Sequence, residues 1–302
     1  MPDAHHLDEH QDDHDLGFSH DLPKMLGRRR LLTLMGGMGL LAVSGLHAAA
    51  LEYVALPWET AGPYPADGSN SKSGQLVNAL TQEGVIREDL RSSFGEFTGS
   101  SDGLQLNLEV TLLDANNGAP LAGHAIYIWH CDTTGMYSLY DTPEANYLRG
   151  VGVADETGKV RFTTIFPGCY DGRWPHIHFE IFKSVDHAVS GESAVLTAQM
   201  ALPEKESADV YANDGRYSNG TSNLGRITIA SDNVFSDNTE AQIAQQTIAL
   251  TGGVTSGYKG TMTVPVDLTA ERTISQPPGR GGQGGPPPGG FGGNRPEPPP
   301  AD

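Results

Sequence analysis

Two histidines and their neighbours are the residues of this sequence best suited to act together chemically. His176 and His178 flank a single isoleucine in the run HIHFEIF, in which apolar side chains alternate. Residues two apart on a β-strand share a face of the sheet, so both imidazoles are expected to point the same way. Two imidazoles on one face make half of a metal site. The turn signal at 167–168 predicts that Tyr170 and Arg173 lie close to the start of this strand.

The metal that such a site would hold depends on its remaining donors. A histidine pair alone favours zinc. The other candidate ligands near the pair are tyrosines rather than cysteines or carboxylates. A phenolate is a hard anionic donor, and in proteins it pairs with ferric iron. The residue types therefore favour ferric iron, while their spacing alone leaves open a zinc hydrolase that uses the same histidines.

The elements around these residues read as short strands separated by turns. From Leu104 to Leu112, leucine and valine alternate with polar residues, which is typical of a half-buried strand. This pattern predicts an all-β fold, a β-sandwich of mainly antiparallel strands with long active-site loops. Residues 51–100 carry many turn signals and are interpreted as an extended, ordered loop. The predicted strands are 104–112, 123–131, 159–165, 176–182, 198–202, 226–230, 246–250 and 258–266.

Composition excludes several classes of partner. The chain has 302 residues and a formal net charge of −18, which argues against nucleic acid and anionic membrane surfaces. It contains two cysteines, too few for a disulfide scaffold or a cysteine zinc site.

The two ends of the chain are interpreted as lying outside the folded domain. Arginines 28–30 precede an apolar run and Ala48-Ala49-Ala50, which predicts a twin-arginine-type export signal over residues 1–50, cleaved after Ala50. Residues 1–27 are a His- and Asp-rich leader, interpreted as a disordered extension, with metal scavenging as the alternative. Residues 276–302 are predicted to be a disordered Pro/Gly-rich tail, which leaves 51–275 as the domain. The mature protein is expected in the periplasm or outside the cell, with no membrane partner.

Several blocks of this sequence resemble the intradiol ring-cleavage dioxygenases. The resemblance runs from about residue 57 to residue 266 and implies a β-sandwich. It also implies a non-haem Fe(III) cofactor and a reaction in which O2 opens a catechol-type ring between its two hydroxyls, giving a cis,cis-muconic acid-type product. The blocks are TAGPY (60–64), IWHCDTTGMYSLY (128–140), YLRGV (147–151), FTTIFPGCYDGRWPHIHFEI (162–181) and TAQMALPE (197–204).

The resemblance also assigns roles residue by residue. Tyr170 is the ligand that the resemblance suggests is released when the catechol binds, so it is a catalytic residue as well as a ligand. The implied metal ligands are Tyr137, Tyr170, His176 and His178. The implied catalytic residues are Arg173, Gln199 and Tyr170, and the implied substrate-binding residues are Gly62, Pro63, Tyr64 and Arg173.

Two departures point to the exported branch of the family. Only five residues separate Tyr170 from His176, whereas cytoplasmic protocatechuate enzymes have a longer loop there. The N-terminal segment of the mature chain is also too short for the helical dimerisation region of the catechol and hydroxyquinol branch. The sequence names neither the catechol nor the oligomeric state, and a homo-oligomer is compatible with it. A secreted β-sandwich binding module without catalysis is the main alternative function.

The two cysteines each lie close in sequence to one of the implied tyrosine ligands. Cys131 precedes Tyr137 by six residues, and Cys169 is adjacent to Tyr170. Two residues near one metal centre are expected to be near each other, and an oxidising compartment favours their oxidation. We therefore predict a Cys131–Cys169 disulfide, with two buried thiols as the alternative.

Overall fold

The computed structural model of the protein describes residues 53–272. The predicted export segment (1–50) and the predicted tail (276–302) lie outside these residues, so both stay predictions. No helix within the described residues is long and apolar enough to cross a bilayer. The strands are β1 (Asp67–Lys72), β2 (Gln75–Asn78), β3 (Gln105–Asp114), β4 (Ala125–Trp129), β5 (Arg149–Val153), β6 (Lys159–Ile165), β7 (His176–Phe182), β8 (Leu196–Ala201), β9 (Ala249–Gly253) and β10 (Gly257–Val266). The helices are α1 (Glu204–Asn213), α2 (Gly220–Leu224) and α3 (Glu240–Gln246).

The strands form two four-stranded sheets and one hairpin. One sheet has the order β6-β3-β10-β9, the other has the order β5-β4-β7-β8, and β1 pairs with β2. All named pairs are antiparallel except β10 with β3, which is parallel. The predicted all-β class with mainly antiparallel strands is confirmed.

The main core contains apolar side chains from one face of each sheet. In β3 buried positions alternate with partly exposed ones, and the buried side chains are leucines and a valine. Ile177 and Phe179 of β7 join the same core. Burying a leucine or isoleucine side chain contributes roughly 1.5–3 kcal/mol, so this face fixes the orientation of β7 firmly. The histidines of β7 must therefore lie on its opposite face.

The opposite face of the second sheet is covered by loops rather than by solvent. A second cluster of buried side chains lies there and includes Tyr127, Trp129 and Tyr137. Its members come from β4, β5 and β7, from the loop after β4, and from segments beside the β1–β2 hairpin. This covered face is where the functional residues meet.

Two of the predicted strands are wrong, and two real features were not predicted. Residues 226–230 contain the start of a short 3-10 turn, Ile229–Ser231, because Thr228 and Ser231 cap each other's backbone N–H groups. Residues 246–250 are divided between the end of α3 and the start of β9. The segment interpreted as a loop contains the β1–β2 hairpin, and the edge strand β5 is so short and glycine-rich that no alternation marks it.

Candidate active site

The strand β7 places both predicted histidine donors on the loop-covered face of the sheet. His176 and His178 are buried, and their Nε2 atoms lie 3.0 Å apart. This is the shared orientation that the alternating sequence predicts. Trp129 on β4 lies directly opposite His178, and its indole stacks on the imidazole at 4.9 Å with an interplanar angle of 6°. The stacking limits how far the His178 ring can turn.

The tautomer of His176 follows from a backbone contact. Its Nδ1 lies 2.5 Å from the carbonyl oxygen of Trp174. A carbonyl only accepts, so Nδ1 must carry the proton and Nε2 must present its lone pair to the site. Histidine ligands of metals usually donate their other N–H to a carbonyl or carboxylate in this way.

Burial keeps both imidazoles uncharged at neutral pH. Burial, with the nearby Arg173 charge, lowers the pKa of His176 to about 3. Burial and the neighbouring His176 hold the pKa of His178 well below its usual range. Neutral imidazoles are the form that binds metal ions.

Two tyrosines from different loops complete the set. Tyr170, from the loop between β6 and β7, has its Oη 3.3 Å from His176 Nε2 and 3.5 Å from Tyr137 Oη. Tyr137, from the loop after β4, is buried, and its N–H donates to Asp141 Oδ2 at 2.8 Å. Burial raises the pKa of Tyr170 to about 12 and that of Tyr137 well above its usual range. Both phenols therefore stay protonated at neutral pH unless a cation displaces their protons.

These four donors fit a ferric ion better than zinc. Two neutral imidazoles and two phenol oxygens meet in a buried site, where successive donor atoms from Tyr137 through Tyr170 and His176 to His178 lie 3.0–3.5 Å apart. Phenolates are hard anionic donors that suit a trivalent cation. Residues 53–272 contain no group of three or more His, Cys, Asp or Glu side chains that could share a metal ion. The ligand sets usual for catalytic zinc are therefore missing from the described part of the chain.

Arg173 and Gln199 lie beside the donors and contact each other. Arg173 Nη2 donates to Gln199 Oε1 at 2.6 Å. Gln199 is opposite His178 in the β7–β8 register, and its Nε2 donates to the carbonyl of Thr60 at 3.2 Å. Gln199 thus joins the arginine to the chain before β1. Through these contacts Gln199 holds the Arg173 guanidinium in position.

The N-terminal segment (residues 60–64) packs over the site. Gly62 has a φ of +73°, and a Cβ there would lie 3.3 Å from Cε1 of His178. The ring of Tyr64 lies 4.9 Å from that of Tyr137. The carbonyl of Pro63 accepts from Asn70 Nδ2 at 2.7 Å, which ties the segment to the hairpin. Gly62 and Tyr64, both predicted to bind substrate, therefore lie against His178 and Tyr137, and Pro63 lies between them in the chain.

Two residues at the site were missed by sequence reasoning. Asp232 accepts from Arg173 Nε at 2.9 Å although the two are 59 positions apart. Arg149 is buried and donates to both the side chain and the carbonyl of Ser138, the neighbour of Tyr137. No local spacing links either residue to the site. The one available signal for Arg149 was its place in the YLRGV block.

The predicted disulfide is absent from the structure. Cys131 and Cys169 are both free and buried. Their thiols point to main-chain carbonyls instead, Cys131 Sγ to Gly168 O at 3.5 Å and Cys169 Sγ to Arg173 O at 3.6 Å. Burial also raises the pKa of the Cys169 thiol to about 12, which keeps it unreactive. The sequence argument located the cysteines near the same centre but could not show the direction of their side chains.

Substituting Gly62 tests how closely the N-terminal segment contacts His178. We expect Gly62→Ala to lower stability by about 1–2 kcal/mol through its positive φ, and to speed loss of iron from protein loaded with ferric iron by displacing the His178 ring. Gly74→Ala is the matched control, because Gly74 has a φ of +79° and no neighbour within 4 Å of an added Cβ. Thermal melting and the rate of iron removal by a chelator check this. Equal metal loss from both variants would contradict the contact.

Glu59, just before this segment, predicts a pH dependence of stability. Burial raises its pKa to about 7, partly opposed by its hydrogen bond with Asn238. Because the pKa of Glu59 is higher in the folded than in the unfolded protein, its contribution to the free energy of unfolding is fully present below about pH 4.5 and is lost as pH rises through about 7. The pKa shift corresponds to a loss of roughly 3 kcal/mol in that free energy. Urea unfolding from pH 4.5 to 8 should show Glu59→Gln gaining stability relative to the parent as pH rises. A constant difference would contradict this.

The sequence and fold of this protein are similar to those of known dioxygenases. A family model described as Dioxygenase matches residues 84–178, a range that contains all four donors and Arg173. Within this range the chain is similar to the intradiol ring-cleavage dioxygenases. Over 72 residues it is 38% identical to the catechol 1,2-dioxygenase of Acinetobacter baylyi, covering 23% of each chain.

Other relatives cover more of the chain. Over 144 residues the protein is 26% identical to a chlorocatechol 1,2-dioxygenase of Pseudomonas putida, covering 40% of this chain and 46% of the relative. Both alignments therefore span less than half of the relative's own length. The solved intradiol ring-cleavage dioxygenase of Tetranychus urticae superposes with a TM-score of 0.54 at 24% identity, over 72% of this chain and 96% of that one. This last likeness shows that the two proteins share a fold over nearly the whole of the solved structure.

Proposed function

We propose that this protein is an exported non-haem ferric dioxygenase of the intradiol ring-cleavage type. In the proposed reaction, a catechol-type ring is cleaved between its two hydroxyl-bearing carbons, and both atoms of O2 enter the cis,cis-muconic acid-type product. The observation that carries the proposal is the convergence of two neutral imidazole Nε2 atoms and two phenol Oη atoms beside Arg173, whose side chain is 13% exposed. The named catechol and chlorocatechol dioxygenases among the relatives support the substrate class.

Ferric iron bound by Tyr137, Tyr170, His176 and His178 would supply a Lewis acid that brings the catechol oxygens and O2 together. The residues of the chain do the rest. The two imidazoles are already in the neutral, lone-pair form, and His176 is fixed by Trp174 O. The stacked Trp129 and the covering N-terminal segment exclude water from His178.

The two tyrosines differ in how firmly they are held. Tyr137 is 1% exposed and contacts the rings of Tyr64, Tyr170 and His178. Tyr170 is only partly buried as a residue and lies in the loop before β7. We therefore assign Tyr137 as the residue that stays in place. Tyr170, which would be a phenolate with iron bound, is assigned as the group whose Oη takes one proton from the catechol and moves aside as the neutral phenol.

Arg173 would stabilise negative charge on the bound ring. Its guanidinium is always charged and presents a rigid fork of donors. A preorganised donor in a buried site stabilises charge that develops during the reaction without reorganisation. Gln199 holds one edge of this fork in place.

The experiment is to load the purified protein with ferric iron and supply catechols. A tyrosinate–iron site gives a red-brown protein, and ring cleavage consumes one O2 per catechol. Oxygen uptake and product analysis should be run with catechol, protocatechuate, hydroxyquinol and larger lignin-like catechols, with zinc-loaded protein as the control. A colourless protein that binds catechols without using O2 would favour a binding module, and activity only with zinc would favour a hydrolase.

Export is a separate part of the proposal and rests on the arginine run at 28–30 and the apolar stretch after it. Replacing the three arginines by lysine should retain the protein inside a bacterial host with twin-arginine transport. Fractionation and immunoblotting check this. Unchanged export of the lysine variant would contradict the twin-arginine route and leave the enzymatic proposal untouched.

A further inference from the structure

Asp232 is a completely buried carboxylate next to the site that neither the resemblance nor the comparisons assign. It follows the short 3-10 turn Ile229–Ser231, and its side chain is 0% exposed. Its own loop holds it, because Oδ1 accepts from the N–H groups of Val234 at 2.8 Å and Phe235 at 3.2 Å. A carboxylate fixed in this way is a rigid anchor for whatever its other oxygen binds.

Asp232 accepts hydrogen bonds from one edge of the Arg173 guanidinium. Arg173 Nε donates to Asp232 Oδ2 at 2.9 Å, and Arg173 Nη2 reaches Asp232 Oδ1 at 3.3 Å. Nη2 also donates to Gln199 Oε1. Among residues 53–272, no hydrogen-bond acceptor is found for Nη1. The two hydrogen bonds to Asp232 therefore fix the plane of the guanidinium and leave Nη1 for a ligand.

The same carboxylate also reaches the backbone next to a metal donor. Asp232 Oδ2 accepts from the N–H of Trp174 at 2.7 Å. The carbonyl of Trp174 is the group that accepts from Nδ1 of His176. Asp232 thus stabilises the short loop from which both the arginine and the first histidine are presented.

Charge balance gives Asp232 a second effect. The Arg173 side chain is only 13% exposed and lies close to two neutral imidazoles. A buried guanidinium without a counter-charge is strongly unfavourable. Burial alone would raise the pKa of Asp232, but Arg173 and the surrounding N–H groups hold it below its ordinary value, so the carboxylate stays charged.

We propose that Asp232 is a positioning residue that orients the Arg173 guanidinium toward the bound catechol. This inference rests on the proposed ring-cleavage function. It predicts that the charge of Asp232 affects turnover through Arg173. It also predicts that a lysine, which lacks the planar guanidinium, is a poor replacement for Arg173.

A double-mutant cycle tests the first prediction. Asp232→Asn keeps the shape but removes the charge, and we expect turnover to fall about ten- to hundredfold with iron content unchanged. In the Arg173→Ala background, the same change should cost nothing further, because the residue it positions is gone. Asp214→Asn is the matched control, since both oxygens of Asp214 accept from Arg216, whose side chain is 38% exposed and lies outside the site. Independent, multiplicative losses in the double variant would overturn the proposal.

A second variant leaves Asp232 intact, in case Asp232→Asn fails to fold. Arg173→Lys keeps the positive charge but cannot make the two-point contact. We expect its turnover to be as low as that of Arg173→Ala. Full turnover would show that the orientation set by Asp232 is unnecessary and would overturn the proposal.

A measurement on the metal-free full-length protein separates this inference from the proposed function. In 15N-edited NMR, the proton on Arg173 Nε, which is hydrogen-bonded to Asp232, should exchange slowly with solvent. In the Asp232→Asn variant its exchange should become fast. Fast exchange in the unsubstituted protein would overturn the positioning role whatever reaction occurs. Slow exchange, with neither iron binding nor O2 use, would instead contradict the ring-cleavage function alone.

Discussion

Replacing His176 or His178 by alanine is expected to remove the iron and its colour from the protein, whereas Arg173→Ala should keep both. Each histidine variant loses one Nε2 donor of a four-donor site and opens it to water. Arg173 is not a donor, so its loss should leave the metal in place. Turnover of Arg173→Ala should nevertheless fall on the order of a hundredfold, the usual effect of losing one preorganised donor to developing charge.

Iron per folded chain, the visible spectrum and turnover on the best catechol should be measured together for these variants. His130→Ala is the matched control for removing a buried imidazole, because His130 bonds Thr164 Oγ1 and the carbonyl of Cys131 rather than the tyrosine donors. It should keep iron in the fraction that folds. Full iron in both active-site histidine variants, or full turnover in Arg173→Ala, would contradict the assigned roles.

The parts of this site that were predictable lie close together in the sequence. The period-two alternation of HIHFEIF fixes the face of β7 on which both histidines lie, because the core takes Ile177 and Phe179 on the other face. Tyr170 and Arg173 follow a turn and lead directly into that strand. The local sequence pattern was sufficient here because the geometry of a strand alone decides which side chains share a face.

The unpredicted parts depend on contacts between distant segments. Asp232 reaches Arg173 through a loop that was interpreted as following a strand, and side-chain capping by Thr228 created a 3-10 turn there instead. The direction of the Cys131 and Cys169 thiols likewise depends on how two loops pack. Backbone hydrogen bonding of this kind carries no periodicity, so pattern analysis cannot find it.

Arg149 is a second residue of this kind, and replacing it is expected to have the largest effect on stability. Its side chain is 1% exposed. It donates to Ser138 Oγ at 3.0 Å, Ser138 O at 2.9 Å, Pro65 O at 3.0 Å and Tyr127 Oη at 3.2 Å. Its guanidinium also lies 5.5 Å from the centre of the Tyr140 ring. Arg149 thus connects the loop that carries Tyr137, the segment just before β1 and strand β4.

Arg149→Met should lower the free energy of unfolding by about 3–5 kcal/mol, because it leaves several buried acceptors without donors. For a domain of this size, that corresponds to a melting temperature lower by roughly 10 °C. Arg161→Met is the matched control. The Arg161 side chain is 57% exposed and pairs with Glu109, so its loss should change stability by no more than about 0.5 kcal/mol.

The iron-dependent part of that stability shows whether Arg149 also supports the metal donors. A ligand that binds only the folded state raises the melting temperature according to its affinity. Since Ser138 is the neighbour of Tyr137, loosening it should misplace the Tyr137 phenol and weaken iron binding. We therefore expect the rise in melting temperature on adding ferric iron to be smaller in Arg149→Met than in the parent or in Arg161→Met. An equal rise in all three proteins would show that Arg149 stabilises the fold without positioning Tyr137.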